Sequence, residues 1–272
     1  MNIPKKIQGR LFEPFSGSAA ITLSAAAKNL ADGYVVGDKY EPLINLWRKV
    51  VNNPDDAARE YKALWDSQLV DPKSFFAECR SQFNVDNDPV KFLYLVARCV
   101  KNAIRFNSQG EFNQSPDNRR LGTNPDRMRK EMFCASELLH SKVDFRVGDF
   151  MDILKDATSD DVVYMDPPWQ GTSNKKDPRY AYLLDIERLT RGLEDLNSRS
   201  IPYLLSFDGA CGDRSYGNEL PDHLNLIKID IHAGRSSQAT LLGRDDITIE
   251  SLYLSPALVE SSSYESMHKR YA

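Results

Sequence analysis

A carboxylate followed by two prolines and an indole, Asp166-Pro167-Pro168-Trp169, is the combination in this chain best suited to chemistry on a planar amine. The Asp166 carboxylate and the Pro167 carbonyl can accept the two hydrogens of an exocyclic amino group, while the Trp169 ring stacks on its heterocycle. The prolines keep the bend rigid, because each fixes φ and neither can donate to a ladder. A plain turn plugged by an aromatic ring would use the same four residues, so their setting has to decide.

That setting begins with Asp161–Met165, whose β-branched run predicts a short buried strand stopped by the prolines. Asp166 then stands at a strand's C-terminal end, where open α/β sheets bind their ligands. Residues 10 to 15 predict another strand, Ser16 to Ala19 a small-residue turn, and Ala19 to Leu30 a helix. Strand, small turn and helix leave backbone N–H groups facing an anionic or zwitterionic ligand. The turn is neither Gly-x-Gly-x-x-Gly nor a P-loop, which argues against a dinucleotide or a triphosphate. Tyr34–Asp38 predicts a second strand whose terminal carboxylate, about 20 residues after the turn, suits ribose hydroxyls. Glu41–Val51 continues as a helix.

Between about Asn52 and Ser141 the pattern turns helical, over Asp55–Trp65, Pro72–Phe83 and Pro89–Ile104. After Arg105–Asn113 comes a polar, proline-broken loop with Arg119, Arg120, Arg127, Arg129 and Lys130. A basic cluster is commonly just a solvated face. Here it is interleaved with aromatic rings and with Asn and Gln, which reach base edges and phosphates. Val143–Val147 leads as a strand into Gly148-Asp149-Phe150, with another carboxylate at its end. Residues 170–182, containing Lys175, Lys176, Arg179 and Tyr180, read as a lid loop. Asp185–Asn197 predicts a helix and Tyr203–Phe207 a buried strand. Leu224–Ile231 and Thr248–Leu254 predict two more strands, with Arg235 between them. The Ser-rich tail from Glu260 reads as frayed.

The whole composition narrows the choices. A formal net charge of -4 means that any nucleic-acid surface must be local. Cys79, Cys99, Cys134 and Cys211 lie far apart, as expected of free thiols in a reducing compartment, and the four histidines show no metal-ligand spacing. Neither a signal peptide nor a membrane-length apolar run is evident, so a cytoplasmic protein without a metal is expected.

Together these motifs resemble the DNA adenine methylase family. Glu13-Pro-Phe15-Ser-Gly17-Ser18 is similar to the family's cofactor turn, Asp38 to its ribose-binding acid, and Gly148-Asp149-Phe150 to the strand that touches the cofactor's adenine. Arg105-Phe-Asn107-x-x-Gly-x-Phe-Asn113 resembles the family's Arg-Tyr-Asn-x-x-Gly-x-Phe-Asn segment, and Asp166-Pro-Pro-Trp169 its catalytic Asp-Pro-Pro-Tyr. The resemblance implies an α/β fold with a mostly parallel, Rossmann-like sheet, a C-terminal antiparallel strand pair and a helical DNA-recognition insert. It implies a catalytic domain over 1–52 and 143–260, an insert over 53–142 and a flexible tail over 261–272. S-adenosylmethionine would be held by Glu13, Phe15, Gly17, Ser18, Asp38, Asp149, Phe150 and Asp166. Arg105, Asn107, Asn113, Arg119, Arg120, Tyr180 and Arg235 would face double-stranded DNA. Asp166 to Trp169 would methylate N6 of a flipped-out adenine. The expected partners are DNA and a cognate restriction endonuclease, with the chain a monomer or weak dimer and no membrane involved.

Two departures accompany the match. The family's Gly-Gly-Lys segment upstream of the turn has no counterpart, so its lysine contact would be absent or supplied otherwise. The family's Phe-x-Gly-x-Gly is here Phe15-x-Gly17-x-Ala19, a bulkier turn. Cytosine-N4 methylation and a non-catalytic DNA-binding relative stay open. RNA adenosine methylation is weaker, because there Asp-Pro-Pro-Trp precedes the cofactor turn.

Overall fold

The computed structural model describes residues 6–99, 104–168, 184–211, 214–216, 220–235 and 247–261. Side chains are described for all of these except 208–211, 214–216, 232–235, 247–250 and 261. Trp169, Tyr180 and the expected lid at 170–182 therefore lie outside the described residues, as does the side chain of Arg235.

The elements run β1 (Arg10–Glu13), α1 (Ala20–Ala27), β2 (Gly33–Asp38), α2 (Glu41–Asn52), α3 (Pro54–Ser67), α4 (Pro72–Asp86), α5 (Pro89–Arg98) and α6 (Pro125–Leu139). They continue with β3 (Val143–Val147), α7 (Phe150–Ile153), β4 (Val162–Met165), α8 (Ile186–Ser198), β5 (Tyr203–Cys211), β6 (Arg214–Tyr216), β7 (Ile227–Arg235), β8 (Ile247–Leu254) and α9 (Pro256–Ser261). The sheet order is β3-β2-β1-β4-β5-β8-β7, with β6 paired to β5. β3, β2, β1, β4 and β5 are parallel, and β8 runs antiparallel between β5 and β7. The expected mostly parallel sheet with a C-terminal antiparallel pair is what the strands form.

Alternation along the central strands separates two cores. Phe12, Val35, Val163 and Met165 face α7 and α8, where Phe150, Leu189, Leu193 and Leu196 pack on them. Leu11, Tyr34 and Val36 face the other way, towards α1, α2 and α6 through Ala25, Ile44, Val51 and Leu139. A third core of Tyr61, Phe76, Phe83, Phe92, Tyr94 and Phe112 holds α3 to α6 and the loop after α5 together.

Three sequence expectations need correction. Arg127, Arg129 and Lys130 belong to helix α6, not to a loop, since the Asn124 side chain accepts from Asp126 N at 2.9 Å and Pro125 opens the first turn. Met128, Met132, Ala135 and Leu139 give α6 a buried stripe under its basic face. Helix α5 stops at Arg98, because Cys99 turns extended and pairs with Pro116. Gly148 to Phe150 does not extend β3: Asp149 caps α7 instead, accepting from Met151 N at 3.1 Å.

One buried carboxylate ties the amino-terminal ends of β1 and β4. Asp161 accepts from Arg10 N at 2.6 Å and from Thr158 N at 2.8 Å, with Thr158 Oγ1 and the Arg10 guanidinium adding to it. Burial would raise this carboxyl, but these donors outweigh it and hold Asp161 below the usual carboxylate range. Asp161→Asn should cost about 1–3 kcal/mol at pH 7, because its amide would face the same donors. A depressed carboxyl stabilises above its unfolded pKa of about 3.9 and loses that contribution as pH falls through its folded value. Urea midpoints should therefore show a deficit that is full at pH 7 and shrinks steadily below about pH 4.

Candidate active site

The strand order reverses between β1 and β4, which pair in parallel through Leu11 with Val162 and Phe12 with Val163. Their carboxyl ends open side by side at the place where such sheets bind ligands. From β1 comes Glu13 and the turn to α1; from β4 comes Asp166. Beyond them lie Asp38 at the end of β2 and Asp149 just after β3. Four carboxylates thus stand on four adjacent strand ends.

Each is prepared differently. Glu13 is buried and accepts from Thr22 N at 2.9 Å and Thr22 Oγ1 at 2.5 Å. Burial pushes its carboxyl up despite those bonds, and the charge of nearby Asp166 adds to the rise. Asp38 is half-buried, accepts from Tyr40 N at 2.9 Å and Gly17 N at 3.3 Å, and is likewise pushed up by burial. For Asp149 burial is outweighed by a two-toothed pairing with Arg188, at 3.0 Å to Nε and 2.8 Å to Nη2, so the carboxyl is held low. Asp166 is exposed beside buried Pro167 and half-buried Pro168.

The turn after β1 has the shape of a cradle. Ser16 N donates to Gly37 O at 2.9 Å, and the Trp47 indole donates to Gly17 O at 3.1 Å, fixing the loop to β2 and α2. Gly17 has φ +47, and a Cβ built there would meet nothing within 4 Å. Ser16 Oγ is buried with no hydrogen-bond partner among the described residues. An orphaned hydroxyl next to an open glycine fits a small polar ligand with hydrogen-bonding groups. One wall of the cradle is aromatic: Phe15 and Phe150 lie 5.2 Å apart between ring centroids. Phe150 in turn presses on Gly192 of α8, where a Cβ would come within 2.5 Å of the ring. Phe150 is placed by a glycine 42 residues along the chain.

A family model for the D12 class N6 adenine-specific DNA methyltransferase matches residues 1–232. The chain belongs to the D12 class of N6-adenine-specific DNA methyltransferases. It is similar to the retron Ec67 DNA adenine methylase of Escherichia coli, with 27% identity over 85% of this chain and 80% of the relative. A DNA adenine methylase of Haemophilus influenzae is 28% identical over 58% of this chain and 54% of its own. The type II methyltransferase M1.LlaDCHI of Lactococcus lactis subsp. cremoris is 26% identical over 90% and 86%. As a D12 methyltransferase the protein methylates N6 of adenine in DNA, which sets aside the cytosine and RNA readings.

In this D12 enzyme the structure brings Glu13, Phe15, Gly17, Asp38, Asp149, Phe150 and Asp166 to the carboxyl edge of the sheet; Ser18 is exposed on the same turn. The segment matched to Arg-Tyr-Asn is a tight hairpin in which Phe106 pairs with Phe112. The Asn107 side chain closes it, accepting from Gln109 N and Glu111 N at 2.9 Å, so its amide is committed to the turn. Asn113 N donates to Arg105 O at 2.8 Å, and the Arg105 and Asn113 side chains are exposed. Phe106 packs on Tyr40, two residues beyond Asp38, with centroids 5.2 Å apart, which sets the hairpin beside the end of β2. Sequence reasoning missed Thr22, Trp47 and Arg188, each defined by a partner far along the chain.

Ala19 sits where the family places glycine, at φ 48 and ψ 32, fully buried. A left-handed alanine costs about 1–2 kcal/mol. Relief by glycine is offset by about 0.5–1 kcal/mol of chain entropy and about 0.8 kcal/mol for the lost buried methyl. Ala19→Gly should therefore leave stability within about 1 kcal/mol of the parent, whereas Ala19→Val should cost more than twice that. Denaturant melts of the two variants check this.

Proposed function

We propose that the methyl donor is S-adenosylmethionine and that Asp166, with Pro167, Pro168 and Trp169, activates a flipped-out adenine of double-stranded DNA. The observation that carries this reading is the pairing of β1 with β4, which sets the Glu13–Ser18 turn beside Asp166. The donor supplies an electrophilic methyl on a sulfonium. Asp38 would hold its ribose hydroxyls, Asp149 its adenine amine, the Phe15 and Phe150 rings its base, and Ser16 to Ser18 its amino-acid end.

Adenine N6 is a poor nucleophile, because its lone pair is delocalised into the ring. Hydrogen bonds accepted by the Asp166 carboxylate and the Pro167 carbonyl favour a pyramidal nitrogen whose lone pair points at the methyl. The rigid Pro167-Pro168 bend keeps that geometry ready, so orientation supplies much of the acceleration. An adenine cannot reach this edge inside a duplex. Stacking on Trp169, worth about 1–3 kcal/mol, offsets part of the cost of extruding it.

The insert over 53–142 is the proposed target-recognition element, with Arg105, Asn113, Arg119 and Arg120 towards DNA, and with Tyr180 and Arg235 as further contacts. The type II relative supports a partnership with a cognate restriction endonuclease. We take the working enzyme as a cytoplasmic monomer or weak dimer. Among the described residues no helix is long and apolar enough to cross a membrane.

Binding and chemistry should separate by mutation. Asp166→Asn should slow single-turnover methyl transfer by about 100-fold or more while leaving donor affinity within a few-fold. Asp38→Ala should do the reverse, weakening calorimetric donor binding roughly 10-fold with methyl transfer largely restored at saturation. Trp169→Tyr should keep substantial activity and Trp169→Ala very little. If Asp166→Asn turns over at the parent rate, the catalytic assignment is wrong.

A further inference from the structure

The loop between α5 and α6 is firmly attached. Gln68 Nε2 donates to Leu121 O at 3.0 Å, Tyr61 Oη to Thr123 O at 2.8 Å, and Asp117 N to Arg98 O at 2.7 Å. Within it Asp117 is buried at 3% exposure, yet its partners are two arginines in the solvent. Arg119 donates to it from its backbone N at 3.0 Å, from Nε at 2.9 Å and from Nη2 at 3.0 Å; Arg120 donates from Nε at 3.2 Å. The Arg120 N–H closes the turn onto Asp117 O at 3.2 Å. The two arginine side chains are 79% and 61% exposed.

A surface arginine ordinarily loses much rotamer freedom when it grips a ligand. Here a buried carboxylate has already fixed the inner Nε/Nη2 edge of Arg119. The outer Nη1/Nη2 edge, a pair of parallel donors, has no partner among the described residues on this largely exposed side chain. Two acceptors side by side on one rigid plane match it, as guanine presents with O6 and N7 in the major groove.

We infer that Asp117 is a positioning residue for target recognition, holding Arg119 so that its outer edge reads a guanine and holding Arg120 alongside it. This rests on the reading of the insert as the recognition element. Electrostatics and positioning then predict opposite signs for the loss of the Asp117 charge. Removing a negative charge from a DNA-facing patch should tighten binding to every duplex, since more net positive charge faces the phosphates. Releasing a pre-set arginine fork should weaken binding to the target alone.

The test uses the full-length enzyme and two duplexes of equal composition. One is built around the site that the parent methylates, mapped by single-molecule sequencing of DNA from expressing cells; the other is scrambled. Asp117→Asn should lower affinity for the target on the order of 10-fold while affinity for the scrambled duplex holds or rises. Arg119→Lys, which keeps the charge and loses the fork, should reproduce the loss on the target and spare the scrambled duplex. Equal changes on both duplexes for Asp117→Asn, in either direction, would overturn the inference. If that variant does not fold, Arg119→Lys decides alone, and target preference equal to the parent's overturns it. A parent that makes no N6-methyladenine at all would instead sink the functional reading before this one is reached.

Discussion

The parallel pairing of β1 with β4 is the constraint on which the rest of the structure depends. These strands are separated by about 150 residues of chain, and their adjacency reverses the strand order. Chain leaving β1 turns back towards β2, and chain leaving β4 turns towards β5, so a crevice is left between them. Asp161 locks the far ends of the same two strands, where a Cβ on Gly9 would collide with its carboxylate. The two strands are thus tied at their amino ends, while their connections diverge at the carboxyl ends.

Much of what fills that crevice works against stability. Glu13 and Asp38 keep carboxylates where burial disfavours their charge, and Ser16 leaves a buried hydroxyl without a partner among the described residues. Ala19 accepts a left-handed backbone. Such departures gather where a ligand would complete them. In the insert Gln68, Tyr61 and Asp117 make hydrogen bonds that fasten one loop, while Trp65 Nε1 and Arg98 Nε are buried without a partner among the described residues.

The sequence was most legible where one period or one motif sufficed. The β-branched strands, the proline-capped helices α3, α4 and α5, and the Asp-Pro-Pro stop all declare themselves within a few residues. Helix α6 was obscured because its basic face drew attention from the stripe of Met128, Met132, Ala135 and Leu139, although Asn124-Pro125 announces its start. Pairings across the chain were not legible at all. Nothing near Asp149 announces Arg188, 39 residues on, and nothing in Phe150 announces Gly192. Asp117 lies within three residues of both its arginines, yet it is buried, and its backbone is tied to Arg98 at the end of α5, 19 residues back.

The central claim is that the edge shared by β1 and β4 methylates an exocyclic adenine amine with Asp166 as the group that orients it. Mass spectrometry of nucleosides from DNA of cells expressing the parent and the Asp166→Asn variant tests it most directly. The account predicts N6-methyldeoxyadenosine with the parent and background levels with the variant. N4-methyldeoxycytidine as the product, or equal N6-methyldeoxyadenosine from both proteins, would contradict it.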